Sequence, residues 1–150
     1  MRLSRVRAFL LVFAGLACFA PWAVSDDADT EATAGVEAAG KVVAYYFHGN
    51  ARCATCRKIE AYSEEAITGG FDSELGDGRL EWRAVNVDES ENKHFVRDFE
   101  LVTKSVVLVE YSDGEVVRWE NLKDVWQLVR NKDRFVDYVQ TETREFLGEG

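Results

Sequence analysis

The sequence predicts an α/β fold, a mixed β-sheet with helices packed on both of its faces. Three observations carry that expectation. Val42–Phe47 is an unbroken apolar and aromatic run, the pattern of a strand buried on both faces. Segments of helical period follow it, and two β-rich runs, Ser105–Tyr111 and Glu115–Trp119, flank the turn residues Ser112-Asp113-Gly114 and so predict an antiparallel hairpin. Between these landmarks, Cys53 to about Ile67 spaces Ile59, Tyr62 or Ser63, Ala66 and Ile67 as one helix face, with Gly69-Gly70 as its stop. Phe71–Arg79 is rich in Gly and Asp and reads as a loop. Leu80–Val87 alternates Leu80, Trp82 and Ala84 against its neighbours and reads as a strand. Asp88-Glu89-Ser90 opens a short helix whose apolar side is Phe95, Val96 and Phe99. From Leu122 the apolar positions return to a helical period, first Val125, Trp126 and Val129, then Phe135, Val136, Val139 and Phe146, with a break at Asn131-Lys132-Asp133.

The chain opens differently. Arg2, Arg5 and Arg7 precede an uncharged apolar stretch, Ala8–Val24, and Ala23-Val24-Ser25 supplies the small residues of a cleavage site. Residues 1–25 are expected to be a signal peptide that directs export to the periplasm or another extracytoplasmic compartment. An uncleaved anchor through residues 8–24 is the alternative, the stretch being just short of a bilayer span. A lipoprotein acylated at Cys18 is a third reading, against which stands Gly15, where such a site would have Leu. Losing residues 1–25 takes away three positive charges and shifts the formal net charge from −9 to −12. So acidic a chain excludes a basic nucleic-acid face. Residues 26–40, DDADTEATAGVEAAG, carry hardly any large apolar side chain and read as a flexible acidic linker. One domain remains, residues 41–147, with no internal repeat.

The chemistry gathers in YYFHGNARCATCRKIE, Tyr45–Glu60, where a strand runs through a Gly/Asn turn into two cysteines at the start of a helix. A thiolate attacks a disulfide and a thiol does not, so a redox cysteine needs its charge stabilised while it stays accessible. Cys53 at the first helical turn would face unpaired backbone N–H groups and the positive end of the helix dipole. Cys56, one turn on, can then resolve a mixed disulfide. Cys53 is therefore the expected nucleophile and Cys56 the resolving thiol, with Arg52, Arg57 and Lys58 adding positive charge around them.

Four residues, His48, Arg52, Arg57 and Glu60, are candidates for tuning the pair. His48, five residues before Cys53, could share a proton with the thiol or hold metal, or be a loop residue bonded to backbone. Glu60 could accept a proton from Cys56, one turn before it, or form an ion pair with Arg57 or another surface partner. Arg52 stands directly before the nucleophile. His94 reads as a surface residue, and Trp82, Trp119 and Trp126 as core or half-buried packing.

Strand, CxxC at a helix start, NVDE closing a second strand, a hairpin with Asp-Gly and a terminal helix together resemble the thioredoxin superfamily over residues 41–147. That resemblance implies a thioredoxin-like domain with a central four-stranded mixed sheet. Within the superfamily, YYFHGNARCATCRKIEAYS resembles the small exported proteins of the ArsF family, tied by name to nitrophenyl-compound reduction. The chain departs from the superfamily in three places. Arg52 replaces the usual aromatic residue before the first cysteine, and Tyr46 and Phe47 stand where a buried carboxylate is common. The only proline is Pro21, so no cis-proline faces the CxxC; Ser105 and Val106 occupy about that place, with trans bonds expected.

Three functions are compatible with these residues. The first is an extracytoplasmic thiol–disulfide oxidoreductase or electron-passing subunit, needing no cofactor, whose partner is a thiol or disulfide protein such as a membrane electron donor. The second is a metal or metalloid binding protein using Cys53, Cys56 and His48. The third is a non-catalytic binding module with a plain disulfide. For the first, Cys53 in the reduced protein should react with iodoacetamide near neutral pH much faster than Cys56, read by mass spectrometry of timed digests. Faster labelling of Cys56 would reverse the roles, and equal slow labelling would mark a structural pair.

Overall fold

The computed structural model describes residues 40–149. The expected signal segment, Cys18 and all but the last residue of the acidic linker lie outside the described residues. Four strands, β1 (Lys41–His48), β2 (Leu80–Asn86), β3 (Ser105–Ser112) and β4 (Glu115–Asn121), form one sheet in the order β2-β1-β3-β4. β1 runs parallel to β2, with Val42 opposite Leu80 and His48 opposite Asn86, and antiparallel to β3, with Phe47 opposite Ser105. β3 and β4 make the expected hairpin, turning at Asp113 and Gly114, both at positive φ (53° and 85°) as a two-residue turn of this kind requires. This order and pairing, with helices on both faces, is a thioredoxin-like α/β fold.

The position of β1 explains its composition. It is the strand with a parallel partner on one side and an antiparallel partner on the other, and both of its faces are covered. Val42, Ala44 and Tyr46 enter the larger core beneath helices α1 (Ala54–Gly70) and α5 (Lys132–Leu147), with Ile59, Ile67, Phe135 and Val139. Val43, Tyr45 and Phe47 enter the smaller core, where Phe95 of helix α3 (His94–Asp98) and its C-cap Phe99 pack tilted against them. β2 lies at an edge and is half exposed, which is why its sequence alternates.

Several boundaries differ from the sequence reading. α1 continues through Gly69 and Gly70 and stops at buried Phe71. Its last turn is held from outside, because Gln140 of α5 donates to the Ala66 carbonyl at 3.0 Å. The expected loop at 71–79 contains a short helix, α2 (Asp72–Gly76), with Asp72 and Glu74 at its positive end. Five residues are too few to show a period. The segment after β2 is split into a 3₁₀ turn, Ser90–Asn92, and α3, and the split leaves Val96 outward while Phe95 and Phe99 point in. The break at Asn131 is a helix cap: α4 (Val125–Leu128) ends before it, and the Asn131 side chain accepts from the Arg134 N–H at 3.1 Å to start α5. Among the described residues no peptide bond is cis.

Along α1 the inward face is Cys56, Ile59, Ser63, Ala66 and Ile67, while Tyr62 lies half-buried with its ring edge on Phe135. Ser63 is fully buried and its hydroxyl has no partner among the described residues, whereas buried Thr143 bonds back to the Val139 carbonyl at 2.7 Å. An unpaired buried hydroxyl carries a desolvation cost with nothing to offset it. Ser63→Ala should therefore stabilise the protein by about 1 kcal/mol and raise Tm by a few degrees in calorimetry, while Ile59→Ala one turn earlier costs about 2–5 kcal/mol. A Ser63→Ala protein that melts lower would show that the hydroxyl is satisfied.

Candidate dithiol site

β1 ends at His48, and the five residues Gly49–Cys53 carry the chain to α1. Cys53 is the N-cap of that helix, with extended backbone (φ −76°, ψ 163°), and its Sγ accepts the Cys56 N–H at 3.0 Å. A cap atom normally is an oxygen of Ser, Thr, Asp or Asn; here a sulfur takes the same place. The first turn holds no acidic residue, so the orphan N–H groups and the helix dipole have no competing carboxylate. The two cysteines form a disulfide, with Cα atoms 5.0 Å apart. They are not equivalent. Cys53 is exposed and Cys56 is 2% exposed, the asymmetry expected of an attacking and a resolving sulfur.

Beneath the pair stands Tyr46, fully buried, whose hydroxyl donates to the Cys56 carbonyl at 2.8 Å. Burial pushes its phenol pKa up, and the Arg52 charge pulls it partly back. Tyr46 thus remains a neutral donor that ties β1 to the first turn of α1. Arg52 connects the remaining tuning candidates. Its guanidinium pairs with Glu60, two turns along the helix, and one Nη lies 3.1 Å from His48 Nε2. His48 Nδ1 lies 3.1 Å from the Gly49 carbonyl, so in the neutral ring Nδ1 carries the proton and Nε2 offers Arg52 its lone pair. The Arg52 Nε is buried without a partner among the described residues. Arg57 turns back to donate to the Arg52 carbonyl at 2.7 Å, and Lys58 is exposed. Glu60 is therefore paired, as the sequence allowed, but with Arg52 and not Arg57. A residue that precedes the helix can fold back along it, which an i,i+4 rule does not register.

The loop itself is clamped by residues whose part the sequence did not disclose. A helical turn does start at Ser90 after Glu89, as Asp88-Glu89-Ser90 leads one to expect, while the Asp88 carboxylate accepts the Asn50 N–H at 2.6 Å and Asn86 donates to the Asn50 side chain at 2.8 Å. Gly49 is needed for this approach, since a Cβ there would come within 2.7 Å of an Asp88 oxygen. The Val87 N–H to His48 carbonyl bond, 2.8 Å, continues the β1–β2 ladder into the loop. NVDE thus serves as the fastening of the cysteine loop. Beside it a cleft of about 270 Å³ lies between His48, Gly49 and Ala51 on one wall and Val102, Thr103 and Lys104 on the other. Ser105 and Val106 are buried at the start of β3, where the Ser105 hydroxyl donates to the Thr103 carbonyl at 3.0 Å.

Other candidates fall outside this constellation. His94 is exposed, with Nδ1 2.8 Å from the Glu91 carbonyl. Trp82 and Trp126 pack half-buried on the larger core, and Trp126 donates to the Lys104 carbonyl. Trp119 meets buried Phe99 edge-on at 5.8 Å but is 36% exposed, more than expected. Among the described residues no group of three His, Cys, Asp or Glu side chains is placed to hold a metal ion, and His48 faces a guanidinium.

The charge pattern sets a test. Arg52 directly precedes Cys53 in the chain, and its guanidinium is paired with Glu60. In the reduced protein, Arg52→Ala should slow iodoacetamide labelling of Cys53 at neutral pH by about two- to five-fold, and Glu60→Gln should speed it by a similar factor, the range of partly exposed charge interactions. Equal rates in all three proteins would remove Arg52 from any part in thiolate stabilisation.

No family model matches the chain, and no curated protein matches it. Among solved structures, it is similar to the X-ray structure of Fasciola hepatica thioredoxin, at 18% identity over 64% of this chain and 82% of that one, with a TM-score of 0.38. It is also similar to the solution structure of a thioredoxin from Thermus thermophilus, at 20% identity over 60% of this chain and 72% of that one, with a TM-score of 0.36. The fold assignment rests on the strand order and pairing described above.

Proposed function

We propose that the protein is a thiol–disulfide oxidoreductase that works outside the cytoplasm. The observation that carries the reading is the unequal pair at a helix start: exposed Cys53 as sulfur cap, buried Cys56 one turn behind it. In the reducing direction the Cys53 thiolate attacks one sulfur of a partner disulfide, a mixed disulfide forms and the partner's other sulfur leaves as thiolate. Cys56, deprotonated, then attacks Cys53 Sγ, closing the intramolecular disulfide and releasing the second partner sulfur. Two electrons and two protons pass from the pair to the partner, and the reverse sequence oxidises a dithiol. Burial of Cys56 restricts it to the intramolecular step.

The basic and then apolar start of the chain supports export, and the likeness of Tyr45–Ser63 to the exported ArsF family agrees with it. An oxidising compartment also suits a pair that cycles through a disulfide. The partner is a thiol or disulfide protein, and a membrane electron donor would fit that chemistry.

Trapping provides the test. Cys56→Ser, expressed in the native host and isolated with free thiols blocked, should carry partner proteins disulfide-linked to Cys53 and be recovered from the extracytoplasmic fraction. The same proteins should be missing from Cys53→Ser. Failure of Cys56→Ser to hold any partner, together with a Cys53–Cys56 disulfide in the wild type that does not exchange with added dithiol, would leave only the plain structural disulfide.

A further inference from the structure

β4 is built unlike the rest of the sheet. It is bonded to β3 along one side, its other side is a sheet edge among the described residues, and six of its seven residues are exposed. Val116, Val117 and Trp119 account for three of the five exposed large apolar side chains among the described residues, with Val117 59% and Trp119 36% exposed. Edge strands are usually guarded by lysine, proline or a covering element, because free backbone groups invite another strand. The sequence EVVRWEN has neither lysine nor proline; its charges are Glu115, Arg118 and Glu120, of which Arg118 is held by Glu110, and the β3–β4 register shifts between Glu110 and Tyr111.

At the C-terminal end of this edge a groove of about 860 Å³ opens, with Trp119, Trp126 and Tyr138 along it and Val102, 96% exposed, at its border. Its charged walls are Glu100, Glu120, Asp124 and Glu142 against a single cation, Lys123. The carboxylates feel one another: burial and the charges of Glu120, Glu145 and Asp124 push the Glu142 carboxyl up, and burial, with Glu142 next, pushes the Tyr138 phenol up to about 12. Groups that repel in this way gain from a cation placed between them.

We propose that the β4 edge and this groove form a docking surface for an extended, lysine- or arginine-bearing segment of a partner protein. The segment adds as a fifth strand beside β4, taking main-chain hydrogen bonds from the edge. Its alkyl stems lie on Val117 and Trp119, where a cation over the indole face gains further attraction, and its charges meet Glu120, Asp124 and Glu142. Charge decides the occupant. A second copy of this chain, net −9, would bring more acid to an acidic groove. Neither cysteine lines this surface, although Val102 and Thr103 border both it and the cleft beside the cysteine loop.

The test is an NMR titration of the oxidised full chain with the blocked peptide Lys-Val-Lys-Val-Lys-Val, alongside Glu-Val-Glu-Val-Glu-Val and n-butylammonium. The basic peptide should shift the Val116–Asn121 amides and bind at least about fivefold more weakly to Glu120→Gln/Glu142→Gln, while the acidic peptide leaves the spectrum unchanged. No shift at millimolar basic peptide, or equal affinity in the double variant, would overturn the proposal. Butylammonium binding as tightly as the peptide would make the groove a small-cation site instead. Concentration-dependent shifts of the same amides without peptide would assign the edge to a second copy.

Discussion

Burial of β1 on both faces is the constraint on which the rest of the molecule depends. Alternate side chains of one short strand belong to two different cores, Val42, Ala44 and Tyr46 to one and Val43, Tyr45 and Phe47 to the other. A slip of one residue would exchange the two sets and place Tyr46 under α3, away from α1. Packing therefore fixes the register, and the register fixes where the strand ends. Its last residue, His48, begins the loop to the cysteines, so the site is positioned by hydrophobic burial before any polar contact is made.

The polar contacts then do a narrower task. The Tyr46 hydroxyl reaches the Cys56 carbonyl from the core side, and Asp88 and Asn86 hold Asn50 from the end of β2. Strand, loop and helix start are joined at two points, which limits the freedom of Cys53 Sγ relative to the backbone N–H groups it caps. A helix usually places carboxylates in its first turn; α1 leaves that turn free of them, and Arg52 is shared between Glu60 and His48 in front of it. The helix start therefore presents its orphan N–H groups to Cys53 Sγ with no carboxylate in the first turn, as a thiolate requires.

At the other side of the sheet the balance is reversed. β4 contributes little to the cores, its side chains being exposed, and its neighbourhood with α4 and α5 gathers carboxylates. Arg118 is the exception: it pairs with Glu110 and lies over the Phe146 ring, fastening β4 to α5.

By itself the sequence determined the four strands, the long helices, the hairpin, the buried central strand and the cysteine pair at a helix start, because each is written in local periodicity, turn chemistry or spacing; the short α2 reads as loop. The break at Asn131 was legible for the same reason, a polar cap interrupting an apolar period. Tertiary structure alone decided what depends on contacts between distant segments. α1 outlasts Gly69-Gly70 because Gln140 holds its last turn, and Glu60 chooses Arg52 because the loop folds back over the helix. The Asp88 side chain at the helical start clamps the cysteine loop, and Trp119 meets Phe99 with its edge and stays 36% exposed. None of these has a local signature. Helix and strand patterns record which side of an element is buried, whereas the partner that buries it, or leaves it open, is set only when the segments meet.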